Sequence, residues 1–170
     1  MSVPPFRPAP WLPGGHAQTL WPVLFRQPSL PPVRRETLVL PDGDALQLAW
    51  TQAGQGSPPA LILPGLEGGL GSHYIPGLMR GLVAQGWQPV VMHHRGTGGE
   101  PNRLQRRYTG GDTADLAFVA ERLGERFPRA PLGAVGFSLG GNLLLKWLGE
   151  VGSECPLTAA AAVSPPFQLA

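Results

Sequence analysis

The sequence predicts an α/β fold: a mostly parallel sheet with helices on both faces and an antiparallel hairpin at its front. Three observations carry that prediction. From residue 60 onward, short apolar runs alternate with stretches of helical period, in the order strand, helix, strand, helix, strand, helix, strand. The apolar runs lack polar alternation, as expected of strands covered on both faces. Ahead of them, two alternating segments flank Pro41-Asp42-Gly43-Asp44, a turn sequence.

The chain has 170 residues, the length of one domain. A net charge of +2 is too small to argue for nucleic acid or an anionic membrane as partner. Gly and Pro make up about a quarter of the chain, but Leu, Ile, Val and Phe fall in periodic blocks, so a core can form. The single cysteine, Cys155, allows no intrachain disulfide and no cysteine-based zinc site. No metal and no organic cofactor is expected. Residues 1–10 hold four prolines and no apolar run, unlike a secretory signal. No stretch reaches the roughly 18 apolar residues of a membrane span. The expectation is a soluble cytoplasmic protein without stable membrane insertion; its oligomeric state is not legible.

The elements follow in order. Nine of the 21 prolines precede residue 33, a density that argues against both helix and central strand. The same segment carries Phe6, Trp11, Leu12, Leu20, Trp21, Leu24 and Phe25, too much apolar surface for a free tail. Residues 1–32 therefore read as an extended arm packed on a domain formed by residues 33–170, with His16 in a structural role. Val33 to Leu40 and Ala45 to Thr51 form the hairpin, and Ala60 to Leu63 a buried strand. Ile75, Leu78, Met79, Leu82 and Val83 share one helix face, which Gly86 ends. Val90 to Met92 form the next strand. Asp112 caps a second helix, Asp115 favours its positive end, and Leu116, Val119, Ala120, Leu123 and Phe127 face inward. Leu132 to Phe137 form a strand. Leu143, Leu144, Trp147, Leu148 and Val151 line a third helix, and Leu157 to Val163 form the last strand.

Gly136-Phe137-Ser138-Leu139-Gly140 matches G-x-S-x-G where a buried strand ends and a helix begins, the context in which that pattern carries a serine nucleophile. The reversal at Ser138 lifts its hydroxyl clear of the sheet. Gly136 and Gly140 support the turn because neighbouring backbone comes too close for a side chain. Attack on an ester creates an oxyanion, which needs donors. The N–H of Leu139 at the helix start is one. The other is the N–H of Leu66, in the loop Pro64-Gly65-Leu66-Glu67-Gly68-Gly69 after the first buried strand.

These residues resemble the YheT-type hydrolases within the α/β-hydrolase superfamily. The resemblance runs through Gly15-His16-Ala17-Gln18-Thr19-Leu20, Leu40-Pro41-Asp42-Gly43-Asp44, Pro64-Gly65-Leu66-Glu67-Gly68, His94-Arg95-Gly96 and Gly99-Glu100-Pro101-Asn102-Arg103. It continues through Gly111-Asp112-Thr113 and Gly136 to Asn142, and ends at Val163-Ser164-Pro165-Pro166-Phe167, so it covers nearly the whole chain. It implies a serine hydrolase acting on small-molecule or lipid-like carboxylic esters, short- or medium-chain acyl esters and acylglycerols among them. The family usually has a histidine where Pro64 stands and another where Thr109 stands.

In this superfamily the acid and the base follow the nucleophile along the chain. Between Leu139 and Ala170 there is no Asp and no His. Glu150 and Glu154 lie on the helix after the serine and in the turn beyond it, while His16, His73, His93 and His94 all precede Ser138. The chain thus reads as the N-terminal half of a hydrolase, with the triad acid and base not in it and little activity alone. Its last strand becomes an edge with unpaired backbone groups. Two alternatives stand beside the ester hydrolase: a non-catalytic truncated or degenerate half-domain, and an acyltransferase moving an acyl group from acyl-CoA or an ester to an alcohol. Nucleotide binding by Gly96 to Asn102 with Arg103, Arg106 and Arg107 is disfavoured, since no Gly-Lys-Ser/Thr follows.

Overall fold

The computed structural model describes residues 5, 7–25, 28–52, 54 and 56–167; Phe6 and residues 168–170 lie outside them. From residue 33 the elements come in the predicted order: β1 (Val33–Val39), β2 (Ala45–Thr51), β3 (Pro59–Leu63), α2 (Ile75–Ala84), β4 (Gln88–Met92), α3 (Ala114–Arg126), β5 (Gly133–Phe137), α4 (Leu139–Val151) and β6 (Ala159–Val163). They are preceded by α1 (Gly14–Phe25).

The six strands form one sheet in the order β1-β2-β4-β3-β5-β6. The hairpin is antiparallel, β2 pairs antiparallel with β4, and β4, β3, β5 and β6 run parallel. Only one hairpin strand, β1, is therefore an edge. The other edge is β6, where Ala159, Ala160, Ala161 and Val163 are exposed.

Side chains of a strand point alternately to the two faces, and both faces are covered here. Leu61, Leu63, Val90 and Met92 pack against Leu116 and Leu123 of α3 and Leu144 and Trp147 of α4. Ile62 and Val91 turn the other way, onto Ile75 and Met79 of α2. Two covered faces explain why Leu61, Ile62 and Leu63 are consecutive and all fully buried.

Helix ends follow local chemistry. Gly86, at φ 82°, sits just past α2, and its N–H donates to the Val83 carbonyl at 2.9 Å. The cap of α3 differs from expectation by one residue. Thr113 occupies the N-cap without a side-chain bond, and Asp112 Oδ1 accepts from the Ala114 N–H at 3.3 Å.

The N-terminal segment corrects the sequence reading. Residues 14–25 are helical rather than extended, with Pro22 inside the helix. The prolines are clustered, not evenly spread: Pro13 immediately precedes the helix and the next is Pro22, so residues 14–21 keep their amide donors. Pro22 forfeits one bond, to the Gln18 carbonyl. Gln18 Nε2 donates back to the Leu12 carbonyl at 3.1 Å, tying the helix start down. Nor is α1 packed as an arm. None of its residues is buried, and Trp21, Leu24 and Phe25 are 45%, 61% and 65% exposed. The following stretch is held instead by Arg80, whose Nη1 donates to the Ser29 carbonyl at 3.1 Å.

Candidate active site

The candidate site lies where β3 and β5, adjacent and parallel, end side by side; Leu63 is registered opposite Gly136. At the end of β5 the chain reverses in a single residue, Ser138, with φ 48° and ψ −116°. Such a conformation costs a non-glycine residue about 1–3 kcal/mol and persists only where the surroundings impose it. The Ser138 N–H donates to the Val163 carbonyl and the Ser138 carbonyl accepts from the Asn142 N–H, both at 2.9 Å. Asn142 Nδ2 donates to the Pro166 carbonyl at 2.7 Å, which ties α4 to the segment after β6.

The glycines flanking the turn have no room for a side chain. A Cβ on Gly136 would stand 2.5 Å from the Gly140 carbonyl oxygen. A Cβ on Gly140 would fall under 3.0 Å from the carbonyl oxygens of both Leu63 and Pro64. Ser138 itself is exposed. Leu139 opens α4, so its N–H has no acceptor within the helix.

The loop after β3 lies directly against the serine: a Cβ on Gly65 would meet Ser138 Cβ at 3.4 Å. The backbone donors of this loop can be accounted for one by one. Gly65 N–H donates to Tyr74 Oη at 3.1 Å, and Glu67 N–H to Tyr108 Oη at 2.9 Å. Gly68 N–H donates to the Gly65 carbonyl at 2.9 Å, and Gly69 N–H to Ser72 Oγ at 3.2 Å. Among the described residues, the Leu66 N–H is the one donor of residues 65–69 left without an acceptor. Glu67 holds φ 52° to make this turn.

The two tyrosines gave no signal in the sequence, because an aromatic hydroxyl that accepts from a distant backbone amide follows no local pattern. Tyr74 packs on Phe137, with ring centroids 4.3 Å apart. Tyr108 stacks on His94 at 4.7 Å and 16°. His94 is 2% exposed, and its Nε2 reaches the carbonyl oxygen of Pro64 at 3.1 Å. The carbonyl of Pro64 is therefore used although its nitrogen has no proton. Thr109, the other departure from the family pattern, accepts at Oγ1 from the Gly111 N–H at 3.4 Å.

An ion-pair cluster fixes the segment that carries His94 and Tyr108. Arg95 grips Asp115 with Nε and Nη2, both at 2.7 Å, and reaches Asp42 at 2.8 Å and Asp44 at 3.2 Å. Arg95 and Asp44 side chains are each 1% exposed. Hydrogen bonds to Asp115 hold the Arg95 pKa above its ordinary value against the effect of burial. The Arg103 N–H, at 3.1 Å, leads in holding the Asp44 carboxyl below its ordinary value. Arg106 pairs with Asp112 at 2.6 Å and Asp42 at 3.1 Å. The sequence showed Asp42 and Asp44 as turn residues and Asp115 as a helix-start charge; that one guanidinium collects all three emerges only on folding.

Among the described residues no histidine hydrogen-bonds Ser138. His94 spends Nε2 on Pro64, and His93 Nδ1 lies 3.3 Å from the Thr97 carbonyl oxygen. Burial lowers the pKa of both. Glu150 pairs with Lys146 and accepts from the Thr113 hydroxyl at 2.5 Å, which leaves it occupied on α4. Beside the loop an open groove of about 850 Å3 is lined by Glu67, Asn102, Leu104, Arg107 and Tyr108 among others, not by Ser138.

The sequence profile of the alpha/beta hydrolase fold matches residues 58–168, a span that includes both the loop after β3 and the turn at Ser138. The chain belongs to the α/β-hydrolase family. Among its relatives is YheT of Escherichia coli (strain K12), named as an esterase. It is 43% identical over 157 residues, which cover 91% of this chain and 46% of YheT. Phospholipase ABHD3 of Homo sapiens is 35% identical over 169 residues, 94% of this chain and 41% of that protein. The chain thus spans less than half the length of these relatives. An esterase from Pyrococcus furiosus superposes with a TM-score of 0.67 at 22% identity, covering 81% of this chain and 53% of the esterase. A lidless α/β serine hydrolase from Xanthomonas campestris gives 0.65 at 22% identity, covering 81% and 64%. Both share the α/β-hydrolase fold with this chain. Among the described residues no helix is long and apolar enough to cross a membrane.

Proposed function

We propose that this chain is the nucleophile-bearing part of a serine hydrolase acting on carboxylic esters. The observation that carries the reading is the strained, exposed Ser138 set beside the unpaired N–H of Leu66. Ser138 Oγ attacks the acyl carbon, and its proton passes to a base outside residues 1–170. The N–H groups of Leu66 and Leu139 receive the developing oxyanion; losing one such donor costs about 100- to 1,000-fold in rate. Collapse of the tetrahedral intermediate expels the alcohol and leaves an acyl group on Ser138. Attack by water then releases the acid, whereas attack by an alcohol would make the protein an acyltransferase. No cofactor takes part in this chemistry. The substrate is a small or lipid-like ester, in keeping with relatives named esterase and phospholipase.

A second reading is a non-catalytic chain built on the same scaffold. The two readings separate in one experiment. The chain is treated with a fluorophosphonate, with imidazole added as a surrogate base, and its intact mass is followed. Adduct formation that accelerates with imidazole and disappears in Ser138→Ala is the expected result. An adduct that persists in Ser138→Ala refutes the assignment of the nucleophile. A folded chain that takes no adduct at any imidazole concentration favours the non-catalytic reading.

A further inference from the structure

We infer that Tyr108, backed by His94, is a positioning residue that fixes the direction of the Leu66 N–H. The inference rests on the reading of Leu66 as an oxyanion donor. The argument runs through peptide planes, each of which places its carbonyl and its N–H on opposite sides. The Pro64–Gly65 plane is held at both ends: His94 Nε2 bonds the Pro64 oxygen, and Tyr74 Oη takes the Gly65 N–H. The Gly65–Leu66 plane is held by its carbonyl, which accepts from the Gly68 N–H. The Leu66–Glu67 plane is held by its N–H, which donates to Tyr108 Oη.

The free Leu66 N–H therefore sits in a plane whose two neighbours are both fixed. It cannot turn without breaking the Gly68 bond and straining the other two. Tyr108 bears the demanding end of this arrangement, because Glu67 at φ 52° is a non-glycine residue in the left-handed region. Without an acceptor for its N–H, that residue loses what holds the plane. The two clamps are also one unit. Tyr108 stacks on His94, which grips the opposite end of the same short segment, at Pro64. Residue 95, next in the chain, is the arginine anchored by Asp42, Asp44 and Asp115. The oxyanion loop is thus braced from a loop some 40 residues downstream, 41 by the spacing of the Glu67–Tyr108 bond.

Two substitutions test this on the full chain. Tyr108→Phe keeps the ring on His94 and deletes only the acceptor; Tyr74→Phe does the same at Gly65. Backbone amide exchange followed by NMR reads each bond directly. In Tyr108→Phe the Glu67 amide should exchange about fivefold faster, the yield of one hydrogen bond of ordinary net strength, while Gly65 is unchanged; Tyr74→Phe should give the reverse. Unaltered Glu67 exchange in folded Tyr108→Phe overturns the inference. A second readout addresses the consequence. Titration with butyrate, a carboxylate that presents an oxygen to the oxyanion donors, should shift the Leu66 and Leu139 amides together in the wild type. In Tyr108→Phe the Leu66 response should weaken while that of Leu139 stays. An undiminished Leu66 response overturns the positioning role. If neither amide responds in the wild type, it is the oxyanion reading that fails, and the positioning role falls with it; the Tyr108–Glu67 bond is then still judged by exchange alone.

Discussion

Replacing Gly140 by alanine should unfold the protein at a markedly lower temperature, while the same replacement nine residues on, at Gly149, should do the opposite. Both glycines belong to α4, so the intrinsic gain of helix propensity is common to the pair, about 1 kcal/mol for glycine to alanine. What differs is the space. At Gly149 a Cβ would find nothing within 4 Å. At Gly140 it would be forced under 3.0 Å from two carbonyl oxygens, Leu63 and Pro64, both backbone of the buried strand end and its loop. Neither can rotate away as a side chain would, so α4 must lift from β3. Overpacking of this kind costs about 3 kcal/mol. Set against the common gain of about 1 kcal/mol the net loss is about 2 kcal/mol, so at about 2–4 °C per kcal/mol for a chain of this size Gly140→Ala should lower Tm by roughly 4–8 °C. Gly149→Ala should raise it by about 2–4 °C. Thermal unfolding followed by far-ultraviolet circular dichroism measures both. Equal shifts for the two variants would refute the claim that close backbone approach, rather than helix chemistry, dictates glycine at position 140.

Two further outcomes concern charge. Arg95→Met leaves the buried Asp44 carboxylate without its guanidinium, so it should destabilise far more than Arg122→Met, whose exposed pair with Glu125 contributes under about 1 kcal/mol. Adding Asp44→Asn to Arg95→Met should restore part of the loss, because the cost comes from an uncompensated buried charge; a double variant no more stable than the single one, by urea denaturation, argues against this. Stability should also fall in two steps on acidification. His93 and His94 are kept neutral by burial, with pKa values below the ordinary 6.5, so their contribution is complete above 6.5 and is lost as pH falls through the folded values. Asp44, held below 3.8 with the Arg103 N–H as the leading cause, adds a second loss only under 3.8. The urea midpoint followed from about pH 8 to about pH 3 reads both steps, and a midpoint that rises between neutrality and mild acid contradicts the first.

The strands and helices after residue 33 were legible because burial imposes period on sequence. Leu61-Ile62-Leu63 could be read as a strand between two layers, and Leu116, Val119, Ala120 and Leu123 as one helix face. The turn at Ser138 was legible for a similar reason, since glycine on both sides leaves a local trace of a long-range clash. Residues 14–25 are not legible as a helix from the number of prolines, because it is their spacing that decides whether a helix can form. The gap from Pro13 to Pro22 is wide enough for two helical turns, and α1 leaves its aromatic residues facing outward.

By itself the sequence determined what local sterics and periodic burial encode: the alternation of elements, the glycine-flanked serine and the glycine-rich loop beside it. Tertiary structure decided which groups meet. Only folding spends the amides of Gly65, Glu67, Gly68 and Gly69 and leaves that of Leu66 free. Only folding brings Asp42, Asp44 and Asp115 to a single arginine and lays Tyr108 on His94. A hydrogen bond or an ion pair is satisfied by any suitable partner at the right distance. Its identity is therefore fixed by where the chain returns in space, and sequence spacing carries no record of it.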